Sequence, residues 1–92
     1  MMELKTTSKF KKDYKRCKKR GYDMTLLKDV INTLLAEKPL EEKHRDHALV
    51  GKYTGFRECH VLPNWLLIYC IDDGSLILTA VRTGTHSELL DL

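Results

Sequence analysis

Three histidines in the C-terminal half of this 92-residue chain stand in short polar motifs. These are Asp46-His47, Glu58-Cys59-His60 and Arg82-Thr83-Gly84-Thr85-His86, with Pro63-Asn64-Trp65 between the last two. Imidazole ordinarily titrates close to neutrality, so it both takes and gives protons at physiological pH. Several imidazoles beside one arginine, without a nucleophilic serine motif, suit proton transfer around a phosphate.

Each residue has a chemical use and a structural alternative. His60 and Glu58 are two apart on a predicted strand and share a face. If Cys59 and Val61 face the core, His60 faces the open side. The alternative is an ordinary surface or hydrogen-bonded histidine. His47 follows Asp46 in a loop, where functional groups often sit on a rigid scaffold. His86 takes the first position of the last helix if Thr85 caps it. The positive end of a helix dipole attracts a phosphate, which in turn favours a protonated ring, making a phosphate-dependent general acid. Arg82 can hold a phosphate by two hydrogen bonds and stabilise the charge of a pentacovalent transition state. Its alternative is a salt bridge to Asp46, Glu58 or Glu88. Trp65 either packs in the core or at an edge, or stacks on an RNA base. His44, His47, Cys59, His60 and His86 are possible zinc ligands, but their spacing matches no compact zinc motif. No metal and no other cofactor is expected.

The elements that must bring these groups together are legible as a sequence of periods and stops. Residues 2–7 alternate as a short strand. Ser8 is a candidate cap for a helix over 9–20, ended by Gly21, with Phe10, Tyr14 and Cys17 on one narrow apolar stripe. Asp23 caps a second helix over 24–37, whose wide apolar face carries Leu26, Leu27, Val30, Ile31, Leu34 and Leu35, and Pro39 stops it. The short turn between them predicts an antiparallel helical hairpin. Residues 40–52 read as a polar loop. Strands follow over 56–62, 65–71 and 76–82; the middle one is a continuous apolar run, as for a central strand covered on both faces. Asp72-Asp73-Gly74-Ser75 is a hairpin turn. Thr85-His86-Ser87-Glu88 fits a capping box for a short final helix. The order β-α-α-β-β-β-α predicts an α+β domain spanning 1–92, with helices on one face of a mostly antiparallel sheet.

Composition narrows the partners. The first twenty residues hold nine Lys/Arg against two acids; the rest hold seven against eleven. The basic excess lies on the first helix, where Lys11, Lys12, Lys15 and Arg16 are candidate contacts to a polyanion, or simply a solvated face. No apolar run approaches the roughly 20 residues that cross a bilayer, and the N-terminus lacks a signal peptide's apolar core. Cys17, Cys59 and Cys70 are an odd set, which points to reduced thiols in a cytoplasm.

Four strings together carry a resemblance: Asp46-His47-Ala48-Leu49-Val50-Gly51, Phe56-Arg57-Glu58-Cys59-His60-Val61, Pro63-Asn64-Trp65-Leu66-Leu67-Ile68-Tyr69 and Arg82-Thr83-Gly84-Thr85-His86. In that order they resemble the YafQ branch of the RelE-type toxins, over almost the whole chain. The resemblance implies a small sheet with helices on one side. It further implies a toxin of a type II toxin–antitoxin pair that cleaves messenger RNA in the decoding site of the ribosome, with a cognate antitoxin as partner. By motif position His47, His60, Arg82 and His86 match family catalytic residues. Trp65 matches a family active-site residue, and Glu58 falls where the family often has an acid. Asn64 stands where an aspartate is common before the tryptophan, and Leu90 where the last helix often has an aromatic residue. The implied reaction is attack of the ribose 2′-hydroxyl on the adjacent phosphorus, with His47 or His60 as base. Arg82 would hold the phosphate oxygens and His86 would be the acid. A relative of the ParE kind, which poisons DNA gyrase by binding, is the alternative of the same fold. So is a nucleic-acid-binding module acting only through its basic helix.

Overall fold

A computed structural model describes residues 1–90, apart from the side chain of Leu90. Five strands make one sheet: β1 (Glu3–Thr6), β2 (His47–Ala48), β3 (Arg57–Leu62), β4 (Trp65–Asp72) and β5 (Ile77–Gly84). Their order across it is β1-β5-β4-β3-β2; only β1 runs parallel to its neighbour, and the other pairs are antiparallel. The three helices are α1 (Ser8–Lys19), α2 (Met24–Leu35) and α3 (His86–Leu90).

The helix ends follow from local chemistry. Thr7, one residue before the expected Ser8, caps α1: its hydroxyl accepts from the Phe10 amide and donates to the Val81 carbonyl. That second bond ties the cap to β5, which Ser8, already in the first turn, does not do. Gly21, at φ 85°, closes α1; its amide reaches Lys18 O and the Tyr22 amide reaches Cys17 O, the paired bonds of a Schellman stop. Asp23 caps α2 through the Thr25 amide, as expected. The second helix ends at Leu35, before Pro39 is reached, because Glu37 takes a left-handed φ of 60° and repeats the same stop.

The sheet is covered on both sides. On one, Phe10 and Cys17 of α1 and Leu27, Val30, Ile31 and Leu34 of α2 pack with Cys59, Val61, Trp65, Leu67, Tyr69, Leu78 and Ala80. On the other, Leu89 of α3 joins Leu66 and Ile68, with Leu49, Phe56 and Val81 at the margin. The helical hairpin therefore takes one face and α3 the other, rather than all helices sharing a face. Alternate residues of β4 feed the two cores, which is why its sequence reads as unbroken apolar.

The expected loop over 40–52 contains β2 and two single 3-10 turns, Glu42–His44 and Gly51–Tyr53. Two residues of strand are too few to leave a periodic signal. Leu76, expected in a strand, lies in the turn at φ 55°.

Candidate active site

The sheet register assembles the site. His47 on β2 pairs with Glu58 on β3, Glu58 pairs with Ile68 on β4, and Ile68 pairs with Arg82 on β5. His60 lies one step along the same face as Glu58. Cys59 and Val61 face the hairpin, so Glu58 and His60 project on the face where Ile68 meets α3, while Arg82, near the end of β5, reaches Asp13 of α1. A register shift between Ile68 and Tyr69 bulges β5 just before Arg82, a device that re-aims the side chain that follows.

One carboxylate oxygen is the hub. Glu58 is 2% exposed. Its Oε1 lies 3.7 Å from Nε2 of His47 and 3.8 Å from Nε2 of both His60 and His86. Its Oε2 is buried and, among the described residues, has no hydrogen-bond partner. The His60 and His86 rings stand 6.1 Å apart, centre to centre. Glu58 thus does not line a wall of the site; it sits beneath it, and charge developing on any of the three rings faces a buried carboxylate.

The backbone selects the tautomers of two rings. Nδ1 of His47 is 2.6 Å from the Arg45 carbonyl, and Nδ1 of His60 is 3.2 Å from the Pro63 carbonyl. A carbonyl only accepts, so each Nδ1 carries the hydrogen, and each neutral ring presents a bare Nε2 to the site. Both are arranged as proton acceptors. Arg45 reaches this geometry at a left-handed φ of 46°. Next to His47, Asp46 anchors the loop from the hairpin side of the sheet, where it accepts from the Tyr69 hydroxyl and from Arg57 Nε at 3.3 Å. Burial pushes the Tyr69 phenol up, so it stays a donor. Burial also pushes the Cys59 thiol up to about 12, which makes it core rather than nucleophile. His86 opens α3, and Thr85 and Glu88 close the capping box: the Thr85 amide donates to Glu88 Oε1 at 3.0 Å and the Glu88 amide to Thr85 Oγ1 at 3.3 Å.

Arg82 is not bound to Asp46, Glu58 or Glu88. Its Nε and Nη2 donate to Asp13 of α1 at 2.7 and 3.1 Å, and this pairing holds the guanidinium firmly charged. Asp13 is the partner that sequence reading missed. A signal was present: Asp13 falls on the stripe of Phe10, Tyr14 and Cys17, so it is an acid on the buried side of a basic helix.

The other candidates separate. Trp65 is 2% exposed, its indole N–H bonds Thr83 Oγ1 at 2.8 Å, and Tyr22 meets its ring edge-on. Its ring packs in the hairpin-side core. Asn64 is exposed in the two-residue β3–β4 turn, beside a cavity of about 320 Å³ lined by Gly21, Tyr22, Asp23, Leu62 and Trp65, apart from the histidines. Lys11, Lys12 and Lys15 are exposed and, among the described residues, meet no carboxylate. Arg16 is spanned between Asp13 at 2.6 Å and Glu88 at 3.3 Å. Leu90's side chain lies outside the described residues.

Comparison with known proteins agrees with this fold. The chain is 38% identical over 88 residues to the mRNA interferase toxin YafQ of Escherichia coli K12, covering 95% of this chain and 94% of that protein. A metal-bound toxin from Helicobacter pylori superposes with a TM-score of 0.93 at 44% identity, covering 98% of this chain and all of that one. The YafQ chain of the E. coli DinJ–YafQ complex superposes with a TM-score of 0.89 at 36% identity, covering 98% and 99%. The family model for YafQ, a bacterial toxin of type II toxin–antitoxin systems, matches residues 2–91, and the chain belongs to that family.

Proposed function

We propose that this protein is a cytoplasmic endoribonuclease that cleaves messenger RNA on the ribosome and is held in check by a cognate antitoxin. The observation that carries this reading is the convergence of three imidazole Nε2 atoms, 3.7–3.8 Å from one buried carboxylate oxygen. The name of the E. coli relative as an mRNA interferase, and the complex of its kind with DinJ, support it. No helix among the described residues is long and apolar enough to cross a membrane.

The reaction follows from the atoms in place. The bare Nε2 of His47 or His60 takes the proton of the ribose 2′-hydroxyl. The 2′-oxygen then attacks phosphorus. Arg82 faces the phosphate charge as it grows. His86 gives a proton to the 5′-oxygen as the phosphorus–oxygen bond breaks. The products are a 2′,3′-cyclic phosphate and a 5′-hydroxyl. Each well-placed acid or base is worth roughly 10²–10⁴ in rate. Acid, base and charge stabiliser are all side chains, so the reading needs no metal. The metal held by the H. pylori relative makes that point worth testing. Toxin treated with a chelator, freed of it, and added to intact ribosomes keeps its activity.

The deciding experiment replaces His86 with Gln and maps new 5′ ends on translated messages after induction. The folded variant neither arrests growth nor makes new ends. A folded variant as toxic as the parent would favour a relative that poisons by binding alone.

A further inference from the structure

We infer that Asp13 is a positioning residue for RNA cleavage: it holds the Arg82 guanidinium by one edge, so that the opposite edge meets the scissile phosphate. The inference rests on the reading of Arg82 as the phosphate-binding group.

A guanidinium offers a carboxylate or phosphate two flat edges. The side-on edge uses Nε and one Nη; the end-on edge uses both Nη atoms. Asp13 takes the side-on edge of Arg82, with Nε on Oδ2 at 2.7 Å and Nη2 on Oδ1 at 3.1 Å. The phosphate is therefore left the end-on edge, Nη1 and the second hydrogen of Nη2. A free arginine would lose rotamer freedom when it gripped a phosphate; this one is fixed before substrate arrives.

The holder is itself fixed. Asp13 is 2% exposed on α1. Its Oδ2 also accepts the Thr83 amide at 3.2 Å, and Oδ1 accepts Arg16 Nη2 at 2.6 Å. The Thr83 amide needs a partner because β1 pairs only as far as Ala80, so β5 runs on past the end of its neighbour. Asp13 thus stands in for the missing strand and aims Arg82 at once. The chain of charges continues from Arg16 to Glu88 and from Glu88 to Arg20. Three guanidinium groups alternate with two carboxylates, and the end nearest the histidine row is the cation.

The test uses the purified full chain and ribosomes programmed with a message. Asp13→Asn, checked as folded by its NMR amide fingerprint, loses kcat by about 10²-fold with an unchanged KM for ribosomes, since a misplaced group costs that order. Arg82→Ala loses at least as much, and Asp13→Asn adds nothing in the Arg82→Ala background. Guanidinium ion restores part of the Arg82→Ala rate while Asp13 is present to seat it, and not in the double variant. A purely structural aspartate would give neither the non-additivity nor the difference in rescue. If Arg82→Ala cleaves at the parent rate, the phosphate-binding reading of Arg82 falls, and this inference with it. If Arg82→Ala is slow but folded Asp13→Asn keeps the parent kcat, only the role of Asp13 is overturned. Should Asp13→Asn not fold, rescue of Arg82→Ala alone decides, and its absence overturns the inference.

Discussion

At the scale of single residues, the site depends on an unfavourable burial. Glu58 buries a carboxylate beside Ile68, and one of its oxygens has no hydrogen-bond partner among the described residues. A buried polar oxygen without a hydrogen-bond partner costs stability, and functional sites are where such costs persist. Glu58→Gln keeps the shape and removes the charge. Measured at pH 9, it should raise the melting temperature, by about 4–8 °C if the gain is about 1 kcal/mol. The same variant should slow cleavage by about 10²-fold, because rings that gain a proton then face a neutral group. Thermal melts and cleavage rates on one protein sample check both. A variant that is both unstable and fully active refutes the account. The histidines and Arg82 were legible because their types carry the chemistry. The hub was not: a glutamate two before a histidine says only that the two share a face. Asp13 was hidden further, since its partner lies 69 residues away and only the fold joins them. Trp65 misled in the other direction, because an aromatic residue in a motif reads equally as platform or as core until the strand's two faces are known.

At the scale of elements, α3 is five residues long, too short to hold its place by helix propensity. Its capping box, Leu89 in the second core, and the Glu88 pairs with Arg16 and Arg20 hold it instead. The Arg20 hydrogen bond, with the Thr85 amide, lowers the Glu88 carboxyl from its ordinary 4.5 to about 2. A carboxyl lowered by folding stabilises the native state above its unfolded value. That contribution is lost as the pH falls through the folded value. Between pH 4.5 and about 2, therefore, the protein should shed on the order of 2 kcal/mol through this group, after allowing for solvent near the arginines. Glu88→Gln should be less stable than the parent at pH 7 and equal to it at pH 2. Urea titrations at both values test this, and an equal deficit at the two would show that Glu88 acts through packing. The long elements were readable from period and stops. The strand β2 was not, although it is what sets His47 beside Glu58, because two residues cannot show a period. The placement of α3 on the second face was equally hidden, since one buried leucine is compatible with either side.

At the scale of the whole molecule, charge is sorted rather than merely positive. Arg16 and Arg20 are taken up by Asp13 and Glu88, so the cations that remain available on α1 are lysines. That division predicts two different outcomes within one basic helix. Replacing Lys11, Lys12 and Lys15 with Gln should leave the fold intact and weaken ribosome binding. For each phosphate that is no longer neutralised, the slope of log affinity against log salt should fall by about 0.7–0.9, a value borrowed from simpler nucleic acids. Replacing Arg16 instead should lower the melting temperature, because it removes one partner of a buried aspartate and of the carboxylate that holds α3. The two variants therefore separate recognition from architecture in residues that the sequence shows as one stripe. Binding measured over a salt series, with melts of each protein, decides the matter. If the lysine variant binds with the parent slope, the stripe is a solvated face, and docking must rely on another surface. If the arginine variant melts like the parent but binds more weakly, Arg16 belongs with the lysines, and the chain of charges from Arg82 to Arg20 does not hold the fold together.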